Sequence, residues 1–200
     1  MLAPSATLTV WTLLDIARGG KATAVGAATA IVVGLVAITP AAGFVSPTSA
    51  LLLGGIAAFP SYFAILYRAK TKLDDSLDVV AAHGVGGTVG ALLTGVFAQK
   101  DWSGLPDGLL FGNPDQMRIQ AIGVGAVIVY AALMTFVILK VMGAVMALRA
   151  EVGDEGLGMD VTQHGEEAYT SGEGAILVLP DIDAPSVALQ SRLANEGGKA

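Results

Sequence analysis

Residues 76–98, SLDVVAAHGVGGTVGALLTGVFA, form an apolar stretch that decides the fold of this chain. At roughly 20 apolar and small residues, it is long enough to cross a bilayer as a helix. His83 lies near its first third, and the chain contains only 2 histidines in total. An ionisable side chain inside such a span is rare and is usually functional. The stretch therefore predicts a transmembrane helix with a functional site at His83.

A regular α-helix through this stretch would place His83 on a stripe of mostly small residues. At about 100° per residue, one stripe about 60° to either side of a line contains Ser76, Val79, Val80, His83, Gly86, Gly87, Gly90 and Thr94. Small residues let another helix or a narrow lumen come close. A neutral histidine bonded to a neighbouring helix as structural glue is the alternative, and the residues alone leave both interpretations open.

The composition is that of a membrane protein followed by a soluble tail. Hydrophobic residues make up 54% of the chain, charged residues 14%, and there are 26 glycines and no cysteine. Residues 1–150 contain nine basic and seven acidic residues, whereas residues 151–200 contain two basic and ten acidic residues. Neither part has the positive charge that nucleic-acid binding needs. We therefore predict a transmembrane helical domain over 1–150 and an acidic cytoplasmic tail over 151–200, largely disordered after 169.

Five apolar runs are predicted to span the membrane, which makes the fold class an all-α polytopic membrane protein. They cover about 1–17, 22–38, 48–67, 76–98 and 117–148. The first run is short and resembles the inner end of a helix. Six basic residues fall on one side of the resulting topology, against Lys100 and Arg118 on the other. Because basic loops face the cytoplasm, the C-terminus is predicted to be cytoplasmic.

The other polar residues have plain structural interpretations beside functional ones. Asp78 is expected near the cytoplasmic mouth, where it caps a helix or attracts cations, and Asp74 and Asp75 favour a helix N-terminus. The Thr39 hydroxyl is expected by default to satisfy a carbonyl freed by Pro40. His164 lies in a segment too sparse for a metal site. No motif for a catalytic triad, a nucleotide or a metal is present, so neither an enzyme nor a cofactor is predicted.

Several stretches together resemble the ammonium transporter (Amt/Mep/Rh) family. Residues 78–98, from DVVAAHGVGG to the end of the opening stretch, are similar to the family signature. Residues 34–43, GLVAITPAAG, are similar to its preceding motif, and residues 158–169, GMDVTQHGEEAY, to its cytoplasmic tail. Their order and spacing agree with the family over nearly all of residues 1–169.

The resemblance implies an eleven-helix fold of two inverted five-helix repeats plus a last helix, assembled as a homotrimer in the plasma membrane. This chain would match the last five helices. His83 would be the second of two pore histidines, with Thr39, Val79 and Asp78 along the pathway of ammonium or ammonia. Asp75 and the tail would serve cytoplasmic regulation, including docking of PII-type proteins; the predicted tail residues are Asp160, Thr162, His164, Gly165 and Tyr169.

The first pore histidine and the outer recruitment site of the family have no counterpart in these residues. We therefore expect the chain to be a C-terminal fragment of a longer transporter and to be inactive alone. Two alternatives stay open from the sequence: a non-transporting membrane scaffold with a docking tail, and a small channel formed by oligomerisation. In each case membrane lipid is a partner.

Overall fold

The computed structural model describes residues 1–166, and the predictions for Tyr169 and for disorder after 169 lie outside that range. The described chain is helical and contains no β-strand. Its elements in order are α1 (Leu2–Gly19), α2 (Ala24–Ile38), α3 (Pro47–Arg68), a π-helix (Val80–Val85) continuing into α4 (Gly86–Phe97), α5 (Lys100–Ser103), a 3-10 turn (Leu109–Phe111), α6 (Asp115–Gly143), α7 (Val152–Leu157) and a second π-helix (Asp160–His164). The prediction of an all-α fold is confirmed.

Helices occupy all five predicted span positions. Within the described chain, three are long and apolar enough to cross a membrane: Pro47–Arg68, Val80–Phe97 and Asp115–Gly143. Ala24–Ile38 is a shorter apolar helix. The fourth helix begins at Val80 and not at Ser76, and α6 ends at Gly143, before the predicted limit at 148. Glycine is a poor helix former, which favours an end at Gly143.

The helix ends follow local sequence signals. The Thr23 hydroxyl accepts the amide of Gly26 at 3.0 Å and so caps α2. Ser46 caps α3 through the amide of Ser49 at 3.2 Å, and Pro47 follows at the first helical position. Both hydroxyl caps are favourable because they accept hydrogen bonds from first-turn amides that have no partner within the helix. Proline is favoured at the first helical position because it has no amide hydrogen to satisfy. The sequence around each turn therefore fixes where α2 and α3 start.

Contacts divide the chain into two compact units, Met1–Ala132 and Leu133–Ala200. In the first unit, two clusters of buried apolar residues hold helices α1, α2, α3 and α4 and the π-helix together. One contains the buried residues Ala37, Ala41, Val45, Leu53, Ala57 and Phe97. The other contains Trp11, Ala30, Val33, Tyr62 and Ala82. The described part of the second unit contains the end of α6, then α7 and the second π-helix.

Glycines let the helices of the first unit approach closely. A Cβ atom added at Gly90 would collide with the backbone of Ala37, and one added at Gly54 would collide with the backbone of Ala3. At Gly34 it would lie 2.5 Å from Cα of Pro4. These contacts are those expected of small residues at membrane helix interfaces. They fix α4 against α2, and so set the depth of the π-helix that precedes α4.

Candidate functional site

The turn before the π-helix positions His83. The carboxylate of Asp75 accepts two backbone amides, from Val79 at 2.8 Å and from Val80 at 2.9 Å. Both amides belong to the first turn and have no partner within the helix. Asp75 therefore caps the helix on which His83 lies, and this helix begins at Val80, not at the predicted Ser76.

Asp78 has a left-handed backbone conformation, with φ of 54°, and no other non-glycine residue of the described chain has a positive φ. Its carboxylate accepts from Arg68, with Nε to Oδ1 at 2.8 Å. Both side chains are mostly buried, at 26% exposure for Arg68 and 23% for Asp78. A left-handed residue is disfavoured unless its surroundings hold it. The ion pair with the end of α3 provides such a restraint.

His83 lies within the π-helix Val80–Val85 and its side chain is exposed. Val79 and Val80 beside it are 49% and 54% exposed. No hydrogen bond joins the imidazole to any residue of the described chain, so the donor and acceptor of the ring are open to a ligand. Single-turn π-helices are frequent at functional sites.

The single stripe predicted around His83 divides in the structure. Gly86, Gly90 and Thr94 are buried, whereas His83, Val79 and Val80 are exposed. The prediction assumed a regular α-helix from Ser76, but the helix begins at Val80 with π geometry. The wider π turn changes the rotation per residue about the helix axis. Gly86, Gly90 and Thr94 therefore pack inward while His83 does not. The expectation of one continuous face is wrong for this reason.

Thr39 lies at the opposite end of α2. Its hydroxyl donates to the carbonyl of Leu35 at 2.7 Å, while its amide bonds the carbonyl of Val36 at 3.2 Å. The turn tightens at Pro40, and the hydroxyl takes over the Leu35 carbonyl that the tightened turn releases. Since Gly90 packs on Ala37, helix geometry places Thr39 roughly 10 Å or more from His83 along the axis. The two residues are not brought together.

An open pocket of about 180 Å³ lies between α1, α2, α3 and the turn containing Asp78. Its lining includes Trp11, Asp15, Thr23, Thr29, Tyr62 and Asp78. The sequence interpretation missed Asp15 and Tyr62. Asp15 had a usable signal, because it is an acidic residue inside an apolar run. No sequence signal indicated that Asp15 and Tyr62 line the same pocket, because the two residues are far apart in the chain.

The tail residues belong to the second unit. The Thr162 hydroxyl donates to the carbonyl of Gly158 at 3.0 Å, and Gly165 ends the π-helix in a left-handed conformation. Asp160 and His164 lie on that same π-helix, and Tyr169 lies beyond the described residues. This segment is short and partly exposed.

One ion pair fixes the start of α7. The guanidinium of Arg149 donates to both carboxylate oxygens of Glu155, at 2.8 and 3.2 Å. This hydrogen bond lowers the pKa of Glu155 below its usual range, and the positive charge of Arg149 adds to the effect. Bidentate geometry favours the ionised carboxylate.

The chain matches one family of known proteins. Residues 1–169 match the model described as Ammonium Transporter Family. The chain is 48% identical over 169 residues to an ammonium transporter of Aquifex aeolicus, covering 84% of this chain and 40% of that protein. It is 40% identical over 161 residues to ammonium transporter Amt1 of Archaeoglobus fulgidus, covering 80% and 41%.

Solved structures agree with this match. The crystal structure of Saccharomyces cerevisiae Mep2 superposes with a TM-score of 0.68 and 33% identity, over 72% of this chain and 36% of that one. A protein described as Sensor Amt Protein superposes with a TM-score of 0.72 and 30% identity, over 81% and 40%. The chain spans about 40% of the length of the curated relatives it matches.

Proposed function

Because this chain belongs to the Ammonium Transporter Family, we propose that it supplies part of a transmembrane path for ammonium or ammonia, with His83 as a pore residue. It is an integral membrane protein of a family of transporters, not of enzymes. The order of its motifs suggests the last five helices of an eleven-helix fold, so the rest of the path would come from residues outside this chain. The observation that supports this most is the exposed, unbonded imidazole of His83 on an apolar helix.

Solvation explains why the species that crosses the apolar part of the path would be ammonia and not ammonium. A bare cation is strongly disfavoured in an apolar lumen, whereas neutral ammonia needs only a few hydrogen-bond partners. A neutral imidazole offers one donor and one acceptor, which suits ammonia, itself able to accept and to donate. We assign His83 this role, with ammonium giving up its proton before ammonia passes and the proton taking a separate route.

The neighbouring residues receive supporting roles in the same proposal. Val79 lies close to His83 and is half exposed, so it would form part of the apolar wall of the path. Asp78, paired with Arg68, would place a carboxylate near the inner end of the path. Thr39 would contribute at a different depth, although its hydroxyl already bonds the Leu35 carbonyl.

Regulation and assembly complete the proposal. Six basic residues on one side of the topology support a cytoplasmic C-terminus in a plasma membrane. We assign Asp75 and the tail residues Asp160, Thr162, His164, Gly165 and Tyr169 to the cytoplasmic regulatory face, with a PII-type protein as the proposed partner. A homotrimer is the proposed assembly. We further propose that the chain is a fragment and that alone it moves no ammonium, because it provides only part of a pore.

A chimera tests the role of His83 without depending on the isolated chain. Residues 1–169 of this chain would replace the matched segment of the Aquifex aeolicus transporter, to which they are 48% identical. Methylammonium uptake and ammonium-dependent current would be measured in cells lacking other ammonium transporters. We expect an active chimera, and we expect His83→Ala to lower or uncouple its flux by an order of magnitude or more, since one general hydrogen-bonding partner is lost.

Gly123→Ala is the matched control, since nothing lies within 4 Å of a Cβ atom added there. Unchanged uptake and unchanged current in an active His83→Ala chimera would refute the pore role. The chain expressed by itself should give no uptake above background, and measurable uptake would refute the proposed inactivity of the fragment.

A further inference from the structure

The C-terminal end of α6 contains an open, mainly apolar groove of about 480 Å³. Its lining residues are Phe136, Leu139, Lys140, Gly143, Ala144 and Leu148. All six belong to the second compact unit, and none of them has a role in the ammonium path proposed above. Binding sites for small molecules typically measure about 300–1,000 Å³, so this groove is large enough to receive part of a lipid molecule.

The turn after α6 forms one wall of the groove. Gly143 ends the helix, and a Cβ atom added there would lie 3.2 Å from Cδ1 of Leu148. Leu148 therefore folds back onto the last turn of α6. The amide of Met146 bonds the carbonyl of Met142 at 2.9 Å, which holds the intervening turn together. The groove thus lies between the side of the helix and the returning Leu148 side chain.

The length of the apolar run in α6 places Lys140 at the edge of the hydrocarbon region. Residues 119–139 contain no charged residue and are flanked by Arg118 and Lys140. At about 1.5 Å per residue this run is roughly 30 Å long, which matches the hydrocarbon core of a bilayer. The amine of Lys140 therefore lies close to the level of phospholipid headgroups, where long basic side chains are favoured.

The segment that follows Lys140 is apolar and exposed. Residues 141–148 contain no charged residue, and Val145 and Leu148 are 85% and 50% exposed. Single exposed apolar residues are ordinary on a protein surface, whereas a continuous apolar patch marks an interaction site. At this depth such a segment favours contact with lipid.

Lys140 supplies the positive charge of the groove. Its Nζ atom lies 5.6 Å from the centroid of the Phe136 ring, so the amine is beside the groove wall. No acidic residue occurs in the sequence between Asp115 and Glu151, and none of the ion pairs among the residues that the structure describes includes Lys140. The groove therefore combines apolar walls with one amine that no carboxylate of the described chain neutralises.

We propose that this groove binds one anionic phospholipid, with its phosphate on the Lys140 amine and an acyl chain against Phe136, Leu139 and Leu148. A lysine amine donates up to three hydrogen bonds, and basic pockets at the membrane boundary favour anionic headgroups. Open apolar walls suit an acyl chain, because the rest of the lipid stays within the bilayer. A zwitterionic phospholipid contains an ammonium group of its own, which weakens its attraction to Lys140. The site depends on the membrane location of α6 and not on the proposed role of His83.

Native mass spectrometry of the full chain in mild detergent tests the site. Dioleoyl phosphatidylglycerol and dioleoyl phosphatidylcholine would be titrated separately, and the bound lipids counted. We expect one phosphatidylglycerol to bind about fivefold more tightly than phosphatidylcholine, the usual effect of one lysine on an anionic lipid. Lys140→Gln should remove this preference, and Lys140→Arg should keep it. Lys100→Gln, which removes an exposed lysine of α5, should leave the preference unchanged.

A second pair of variants tests the apolar walls and keeps the experiment decisive if Lys140→Gln does not fold. Leu148→Ala removes one wall and should weaken phosphatidylglycerol binding about threefold or more, since buried apolar contact is lost. Val145→Ala, at an exposed residue outside the lining, should not. Equal affinity for the two lipids, an unchanged preference in folded Lys140→Gln, or the same loss in Lys100→Gln would overturn the site. Binding of glycerol phosphate as tight as that of phosphatidylglycerol would also overturn it, because the acyl chain would then contribute nothing.

Discussion

Arg68 at the end of α3 and Asp78 in the turn before the π-helix form an ion pair, with Nε and Oδ1 2.8 Å apart. Asp78 has the left-handed φ of 54°. The pair therefore joins two elements and holds the backbone in a conformation that it would otherwise avoid. Since His83 lies in the π-helix that starts two residues later, this contact is part of what positions the imidazole.

Separating charge from backbone conformation at position 78 tests this relationship. Asp78→Asn loses the charge but keeps a residue that tolerates positive φ, whereas Asp78→Ala loses both. We expect Asp78→Ala to lower the stability of the purified protein by about 1–2 kcal/mol more than Asp78→Asn, from the steric penalty of the left-handed region. Thermal unfolding followed by circular dichroism in detergent measures the difference.

Arg68→Ala provides the complementary measurement. It should destabilise by about 1.5–3 kcal/mol, because a hydrogen-bonded and mostly buried charge loses its partner. Lys70→Ala is the control, as an exposed basic residue close by. Equal stability of Arg68→Ala and Lys70→Ala would contradict a positioning role for the pair.

Asp75 should protect the first turn of the same helix. Its carboxylate accepts the amides of Val79 and Val80, so Asp75→Ala should lower local stability by about 1 kcal/mol, the usual effect of losing a cap. Hydrogen exchange of those two amides should accelerate by roughly fivefold at 25 °C, the factor that corresponds to 1 kcal/mol. Ser76→Ala, at an exposed neighbour, should leave exchange unchanged; equal rates in both variants would refute the cap.

The sequence predicted much of the fold because apolar runs and their polar boundaries are local properties. Helices α2 and α3 lie over the predicted apolar runs 22–38 and 48–67. Thr23 and Ser46 cap the starts of these two helices. The family resemblance over residues 1–169 is confirmed as well. Both successes depend on patterns along the chain, which need no knowledge of which helices touch.

The geometry of the candidate site could be predicted less well from the sequence than the positions of the helices. A helical wheel assumes one period, so it could not foresee the π-helix at Val80–Val85 or the separation of His83 from the buried Gly86. Nor could it foresee that Asp78 breaks the helix with a positive φ. The contact of Trp11 with Tyr62 depends on how α1 packs on α3, and no local pattern specifies such a contact.

Helix packing at Gly90 allows a test with a matched control on the same helix. A Cβ atom added at Gly90 would collide with the backbone of Ala37, whereas one added at Gly87 would lie 3.5 Å from Cγ1 of Val36, an ordinary contact. We expect Gly90→Ala to destabilise by about 1–3 kcal/mol from overpacking and Gly87→Ala to have little effect. Thermal unfolding of both variants decides this, and similar values for the two would contradict the close approach of α2 and α4.

The ion pair between Arg149 and Glu155 should depend on pH in one direction. The folded pKa of Glu155 is lowered, chiefly by the hydrogen bond from Arg149. A lowered pKa means that the contact stabilises the start of α7 above the ordinary carboxyl pKa and that this contribution is lost as pH falls through the folded value. Carbon-detected NMR of Glu155 should therefore give a titration midpoint below the ordinary value of 4.5. Arg149→Ala should return the midpoint toward that value, while Lys140→Ala should not; a midpoint that is the same with and without Arg149 would show that the ion pair does not set it.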